Sequence, residues 1–80
     1  AVFEVYMHIP TGNGRMWVKL YNETQKHDVW FSELSAVGHE ITRQEAIITL
    51  DPGNNVYAVY AKSSMPYSVS VDNARIRLKF

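Results

Sequence analysis

The sequence predicts an all-β fold, an antiparallel, jelly-roll-like β-sandwich of about six to eight short strands. Apolar residues recur at every second position almost throughout the chain, which is the spacing of half-buried strands. Segments rich in Gly, Pro, Asn and Ser interrupt this pattern about every 8 to 14 residues, as turns between short strands do. No stretch shows the helical period. Each element follows from these patterns in order.

The first strand is predicted in "VFEVYMHI" at 2–9. Its apolar side consists of Phe3, Val5, Met7 and Ile9, and its polar side of Glu4, Tyr6 and His8. "PTGNG" at 10–14 ends it, because Pro10 cannot donate to a sheet ladder and the glycines accept positive φ. We therefore expect a tight turn there.

The second strand is predicted in "RMWVKLYNET" at 15–24. One side carries Met16, Val18 and Leu20, and the other carries Arg15, Trp17, Lys19 and Tyr21. A strand with one apolar and one polar side is ordinary for a sandwich. A polar side that carries two large aromatic rings between basic residues indicates that this side contacts something.

The middle of the chain is less regular. "ETQKHD" at 23–28 is polar and predicts a loop, while "VWFSELS" at 29–35 is a short apolar stretch that "AVGHE" at 36–40 breaks. We expect Trp30, between Val29 and Phe31, to be buried under a loop. "ITRQEAIITL" at 41–50 resumes the extended pattern, and its predicted inward residues are Ala46, Ile48 and Leu50.

"DPGNN" at 51–55 is the strongest turn signal, because proline presets φ for the first corner and Gly or Asn accepts the left-handed one. "VYAVYAK" at 56–62 then places Tyr57, Val59 and Ala61 on one side. "YSVSVDNARIRLKF" at 67–80 alternates again, with a shift at "DN" that predicts a bend or a turn between strands. Before the shift the shared side holds Tyr67, Val69 and Val71; after it, the apolar side holds Ala74, Ile76, Leu78 and Phe80, opposite Arg75, Arg77 and Lys79. We expect this last segment to occupy a central or well-paired position.

Size and composition indicate one small globular domain over residues 1–80. The chain has 80 residues, of which 46% are hydrophobic and 20% charged. It is either a small protein that has lost its initiator Met or a module of a longer chain. With no cysteine, it has neither disulfides nor thiolate metal ligands. A net charge of zero gives no attraction for nucleic acid or an anionic membrane, so we expect neither as a partner.

No motif points to catalysis. The three histidines, His8, His27 and His39, lack metal-ligand spacing and are expected at the solvated surface. No carboxylate pair stands out for acid–base work, and no serine lies in a nucleophile-elbow context. "GNG" at 12–14 precedes a strand and not a helix, so it is not a phosphate loop. We expect no catalytic residue, no metal and no cofactor, and hence no enzyme.

The aromatic residues of the outer faces are the candidate functional set. Trp17 and Tyr21 share one face, Tyr6 is expected on the same face of a neighbouring strand, and Tyr60 is a further member. The candidate interface or sugar-binding residues are Trp17, Lys19, Tyr21, Tyr6, Trp30, Arg75 and Arg77. Three interpretations stay open: a shelf that stacks sugar rings while Lys19, Arg75 or Arg77 binds hydroxyls, an interface with another subunit, or cross-strand pairs that only stabilise the sheet.

Three segments together resemble a β-sandwich module that recurs in bacteriophage virion and tail proteins and in bacterial surface proteins. They are "WVKLYNETQKHDVWFSELS", "ITRQEAIITLDPGNNVYAVYAKSS" and "YSVSVDNARIRLKF", and the resemblance runs from about Phe3 to Phe80. The group is similar to jelly-roll, galactose-binding-like sandwiches. The resemblance implies a non-enzymatic module of a tail, fibre, capsid-decorating or adhesive protein. Trp30 and Phe31 add bulk where the group has small residues, so no binding residue is transferred from it.

We therefore expect a structural interaction protein, foremost a bacteriophage virion component used for capsid decoration or in a tail or fibre. Its location would be the virion or an extracellular surface, and its partners other virion or surface subunits, including copies of itself. The alternative is a carbohydrate-binding module that uses exposed aromatics on glycans. A third interpretation is an accessory domain of an enzyme, with the same binding chemistry. A sugar site needs Trp17 open to solvent, whereas an interface buries it.

Overall fold

A computed structural model describes residues 1–65 and 69–78, and within them seven strands form two antiparallel sheets packed as a sandwich. The strands are β1 (Val2–His8), β2 (Arg15–Asn22), β3 (His27–Asp28), β4 (Leu34–Val37), β5 (Thr42–Ile47), β6 (Tyr57–Ser63) and β7 (Ser70–Arg77). The all-β sandwich prediction is confirmed. Its jelly-roll-like strand order stays a prediction. The described residues contain no helix long and apolar enough to cross a membrane.

Each sheet is built around one central strand. In the β1 sheet the order is β5-β1-β7. In the β2 sheet, β6 pairs with β2 from Met16 to Asn22, and the other edge of β2 is shared by β4, opposite residues 15–18, and β3, opposite residues 21–22. Consecutive strands β1 and β2 thus belong to different sheets, because the turn at 10–14 carries the chain across the sandwich.

The core lies between the two central strands. The alternation read from the sequence is confirmed for both of them, since every predicted inward residue is buried. The buried apolar residues are Phe3, Val5, Met7, Ile9, Met16, Val18, Leu20, Val29, Ala36 and Ile48. Of the predicted inward residues after β4, Ile48 is buried, while Ala46 and Leu50 pack against the core from its rim. In β6, Tyr57, Val59 and Ala61 pair with the inward residues of β2 and share their face.

The predicted shift at "DN" is a β-bulge inside a single strand. Tyr6 pairs with Asn73 whereas Met7 pairs with Val71, so Asp72 is the extra residue of β7. The bulge moves the inward face from Val71 to Ala74. Tyr67, Lys79 and Phe80 lie outside the described residues. Of the expected central or well-paired position, the described part of the last segment has the second: β7 lies at the end of the order β5-β1-β7, but it pairs with β1 from Ser70 to Arg77.

The region around Trp30 differs from the sequence prediction. The predicted loop at 23–28 contains the two-residue strand β3, and β4 begins at Leu34 and continues through Ala36 instead of breaking there. The cause is a tight turn over residues 29–32, in which the Ser32 amide donates to the Val29 carbonyl at 3.3 Å. This turn divides the apolar run "VWFSELS" in two.

Candidate functional site

The structure separates the seven predicted site residues into three places. Trp17, Lys19 and Tyr21 lie on the outer face of the β2 sheet, Tyr6, Arg75 and Arg77 on the outer face of the β1 sheet, and Trp30 on the turn between β3 and β4. The expectation that Tyr6 adjoins Trp17 is therefore wrong. The two side chains lie on opposite outer faces of the sandwich, because β1 and β2 belong to different sheets.

The outer face of the β2 sheet carries a set of rings and lysines that we call the aromatic face. Its members are Trp17, Lys19, Tyr21, Tyr60 and Lys62. The Tyr21 and Tyr60 rings stack with their centroids 5.2 Å apart and their planes at 20°. Lys62 Nζ lies over the Trp17 ring, 5.2 Å from its centroid. The rings of β2 thus contact side chains of the neighbouring strand β6, as the cross-strand interpretation predicts.

Hydrogen bonds and ion pairs hold the rim of the aromatic face. The Tyr60 hydroxyl donates to Glu23 Oε1 at 2.6 Å, and this bond, with burial adding to it, raises the pKa of Tyr60. Lys19 Nζ pairs with Asp28 Oδ1 at 2.9 Å. Between Trp17, Tyr60 and Lys62 lies a small cavity of about 120 Å³. This face can stack or pack against a flat apolar partner.

The outer face of the β1 sheet holds a network of charges that we call the Glu4 cluster. It consists of Glu4, Glu45, Arg43, Arg75 and Arg77. The Glu4 side chain is only 1% exposed although it points outward, because the arginines lie over it. Arg75 Nε donates to Glu4 Oε1 at 2.6 Å, and Arg43 Nε donates to Oε2 at 3.0 Å. Arg77 Nη2 donates to Glu45 at 2.6 Å.

This network engages the guanidinium groups of Arg75 and Arg77. The hydrogen bond from Arg75 is the largest influence on Glu4 and lowers its pKa; burial opposes it, and Arg43 lowers the pKa further. The hydrogen bond between Arg43 and Glu4 in turn raises the pKa of Arg43. Arg75 and Arg77, predicted as donors to sugar hydroxyls, thus already bind carboxylates of their own sheet. Sequence reasoning placed Glu4 outward correctly but missed its burial, which depends on the register of three strands.

The turn over residues 29–32 is the most exposed apolar feature among the described residues. Trp30 is 79% exposed and Phe31 is 85% exposed, so the expectation that Trp30 is buried under a loop is wrong. Their rings meet edge to face with centroids 6.4 Å apart. Phe31 has a φ of 62°, a left-handed conformation that is rare for a bulky residue. Both aromatics occupy the corners of the turn, and the corners face solvent.

Buried Ser32 clamps this turn. Its hydroxyl donates to the Val29 carbonyl at 2.6 Å and accepts from the Leu20 amide at 3.1 Å. The clamp ties the turn to β2 and holds Phe31 in its strained conformation. Nothing in the amino-acid pattern signals this, since glycine is the residue expected at such a corner. We call residues 29–32 the Trp30 turn.

A hollow of about 560 Å³, which we call the Trp30 hollow, lies beside the Trp30 turn. Its apolar wall includes Trp30, Phe31 and Ile47, of which Ile47 is 84% exposed. Its polar wall is formed by His27, Asp28, Thr49 and Asp51.

The polar wall is held by a short network from β2. Asn22, which is buried, donates from Nδ2 to Asp51 Oδ2 at 2.6 Å, and His27 Nε2 lies 3.1 Å from the same oxygen. Asp51 is thereby fixed at the start of the "DPGNN" turn. The amino-acid pattern did not indicate this hollow, because its lining residues come from two segments that are separated in sequence, 27–31 and 47–51.

The histidines do not converge. His8 Nδ1 lies 2.7 Å from Asp72 Oδ2 on the β1 sheet, His27 contacts Asp51, and His39 is exposed near Gly12. Across residues 1–65 and 69–78, no three side chains of metal-ligating type are placed to hold an ion.

No family model matches this chain, and neither the curated proteins nor the solved structures compared with it give a match. The likeness to virion and surface modules therefore stays a hypothesis drawn from the three sequence segments.

Proposed function

We propose that this domain is a non-enzymatic interaction module, a bacteriophage virion component of the capsid-decoration or tail-fibre kind that acts by protein–protein contacts. The observation that carries the proposal is the Trp30 turn, which presents two aromatic side chains to solvent on a clamped and strained backbone. Exposed clusters of this kind mark interaction sites. The sequence resemblance adds the virion or an extracellular surface as its place, and a jelly-roll, galactose-binding-like strand order.

The size of the exposed apolar surface is consistent with an interface anchor. Buried aromatic side chains remove about 150–250 Å² each from water. Because Trp30 is 79% exposed and Phe31 is 85% exposed, burying the exposed part of both at about 25 cal/mol per Å² gives roughly 6–10 kcal/mol in gross terms. Association itself costs about 4–15 kcal/mol. The turn can therefore anchor a contact but needs surrounding contacts, which symmetric assemblies of subunits supply.

The sheet edges offer such surrounding contacts. Among the described strands, β5 and β7 each pair on one side only, and so does β6. Unpaired strand edges present backbone donors and acceptors to a neighbour. The proposed partners are copies of this chain and other virion or surface subunits.

The first test is the molar mass of the chain in solution, measured by light scattering at several concentrations. We expect an oligomer for the wild type and a monomer for the double variant Trp30→Ala, Phe31→Gly. The matched control is Tyr60→Ser, which removes a 43% exposed aromatic from the aromatic face and should leave the oligomer intact. A wild type that is monomeric at every concentration contradicts self-assembly as the mode of action.

A second candidate function, carbohydrate binding, is favoured by the cavity beside Trp17 on the aromatic face. A sugar there would have to displace Lys62 from the Trp17 ring, because the lysine already covers it. The chain has two tryptophans, so their indole N–H signals in a nuclear magnetic resonance spectrum separate the two surfaces. Saturable movement of the Trp17 signal alone with soluble oligosaccharides, lost in Tyr60→Ser, would support this function.

A further inference from the structure

We infer that the Trp30 hollow receives an arginine side chain, flanked by apolar residues, from a partner protein. The inference rests on the proposed function and names the chemistry of the partner. It concerns a surface distinct from the aromatic face, at the meeting of the Trp30 turn, β3 and the end of β5.

The charges that line the Trp30 hollow favour a cationic side chain. Two carboxylates, Asp28 and Asp51, line the hollow, and among the residues that the structure describes none of its lining side chains is a lysine or arginine. Asp51 uses Oδ2 for Asn22 and His27, and Oδ1 has no hydrogen bond to any described residue. Lys19 holds Asp28 through Oδ1 from outside the hollow. The wall thus presents carboxylate oxygens that a guanidinium can bind, and it repels phosphates and acidic peptides.

The aromatic wall is the second argument. A guanidinium stacks on aromatic faces while its N–H groups bind carboxylates in its own plane, a combination that an ammonium cannot reproduce. Trp30 and Phe31 stand edge to face and are 79% and 85% exposed, so at least one ring face is open to solvent beside the hollow that both residues line. On the other surface Trp17 already has a cation over its ring, the Lys62 ammonium, 5.2 Å from the ring centroid.

Size is the third argument. A hollow of about 560 Å³ is larger than one arginine side chain needs, so it also accommodates the apolar neighbours of that arginine. Ile47 provides the apolar contact for them, being 84% exposed at the end of β5.

The experiment titrates the uniformly ¹⁵N-labelled chain with the peptide acetyl-Leu-Arg-Leu-amide and follows the two indole N–H signals. We expect saturable movement of the Trp30 signal while the Trp17 signal stays in place. The matched probe is the same peptide with citrulline for arginine, which keeps the shape and removes the charge. We expect it to bind at least about tenfold more weakly, a difference of about 1.4 kcal/mol.

Two variants test the carboxylate. Asp28→Asn should weaken the arginine peptide about three- to tenfold, and its side chain is 54% exposed, so the fold is retained. Glu40→Gln makes the same change of charge at an exposed residue outside the hollow and should leave binding unchanged. Asp51→Asn is expected to weaken binding more strongly, and its thermal unfolding is recorded because Asp51 also holds Asn22.

Equal binding of the arginine and citrulline peptides, or no movement of the Trp30 signal at millimolar peptide, overturns the inference. So does movement of the Trp30 signal with glucose or galactose but not with the arginine peptide, which would place a saccharide in the hollow. Light scattering separates the two proposals. If the turn variant dissociates the oligomer while the arginine peptide fails to bind, the interaction function stands and this inference falls.

Discussion

At the scale of single residues, Phe31 is the clearest conflict between sequence and backbone. A φ of 62° costs a non-glycine residue roughly 1–2 kcal/mol, and glycine would lose about 0.5–1 kcal/mol of chain entropy at the same place. The exposed ring contributes little packing to the fold. We therefore predict that Phe31→Gly raises the free energy of unfolding by up to about 1 kcal/mol, measured by denaturant unfolding, while it weakens self-association.

Trp30→Gly is the matched control for that prediction. Trp30 lies on the same turn and is similarly exposed, but it is not among the residues with positive φ. Glycine there brings only its entropy cost, so we expect a loss of about 0.5–1 kcal/mol. Equal destabilisation by both substitutions would show that the Phe31 backbone is not strained.

The alternation of apolar residues predicted the positions of most strand residues but not that of Trp30. Alternation correctly assigned Met16 and Val18 to the core and Trp17 to the outer face, because one face of each central strand must be buried. It failed at Trp30, because an apolar run looks like a strand whether or not a turn divides it. Local rules place glycine at a left-handed corner, and Phe31 departs from that rule.

At the scale of the strands, the Glu4 cluster ties β1 to both of its neighbours. The pKa of Glu4 is lowered in the folded chain from an ordinary value of 4.5, mainly by the hydrogen bond from Arg75. A lowered carboxylate pKa means that the folded state holds the charged form better than the unfolded state does. The stabilisation is therefore complete above pH 4.5 and is lost as the pH falls below it through the folded-state pKa. We predict that the melting temperature falls as the pH is lowered from 4.5 through the folded-state pKa of Glu4.

The variant Glu4→Gln should melt at a lower temperature than the wild type at pH 7, because Arg43 and Arg75 lose their shared carboxylate. It should also lose much of the acid dependence. Glu45→Gln serves as the control, since Glu45 is half-exposed and binds arginines at the edge of the same network. If Glu4→Gln keeps the acid dependence of the wild type, the cluster does not control acid stability.

Strand positions were more predictable than strand neighbours. The break in alternation at Asp72 predicted a bend or a turn between strands, and the structure shows a bulge within β7, whose one extra residue shifts the inward face. The pairing of Glu4 with Arg75 and Glu45 was not predictable, because period-two patterns define faces and leave partners open. The burial of Glu4 depends on those partners.

At the scale of the whole molecule, the unpredicted feature is the assignment of β1 and β2 to opposite sheets. The turn at 10–14 suits a hairpin as well as a crossing between sheets, and the alternation of both strands fits either arrangement. The crossing divides the predicted aromatic set, leaving Tyr6 beside the Glu4 cluster and Trp17 on the aromatic face. Which of the predicted aromatic residues lie together therefore depends on the topology, which composition and spacing do not specify.

The small core also links folding to assembly. A domain of this size buries a modest fraction of its surface, so contacts made only by the folded state add visibly to its stability. We predict that the melting temperature of the wild type rises by about 3–6 °C for each tenfold increase in concentration, as expected for a dimer of chains this short. Trp30→Ala with Phe31→Gly should melt at one temperature throughout, whereas Tyr60→Ser should keep the dependence. A flat wild-type curve would mean that the folded chain gains nothing from its own copies, and the partner of the Trp30 turn would then have to be a different protein.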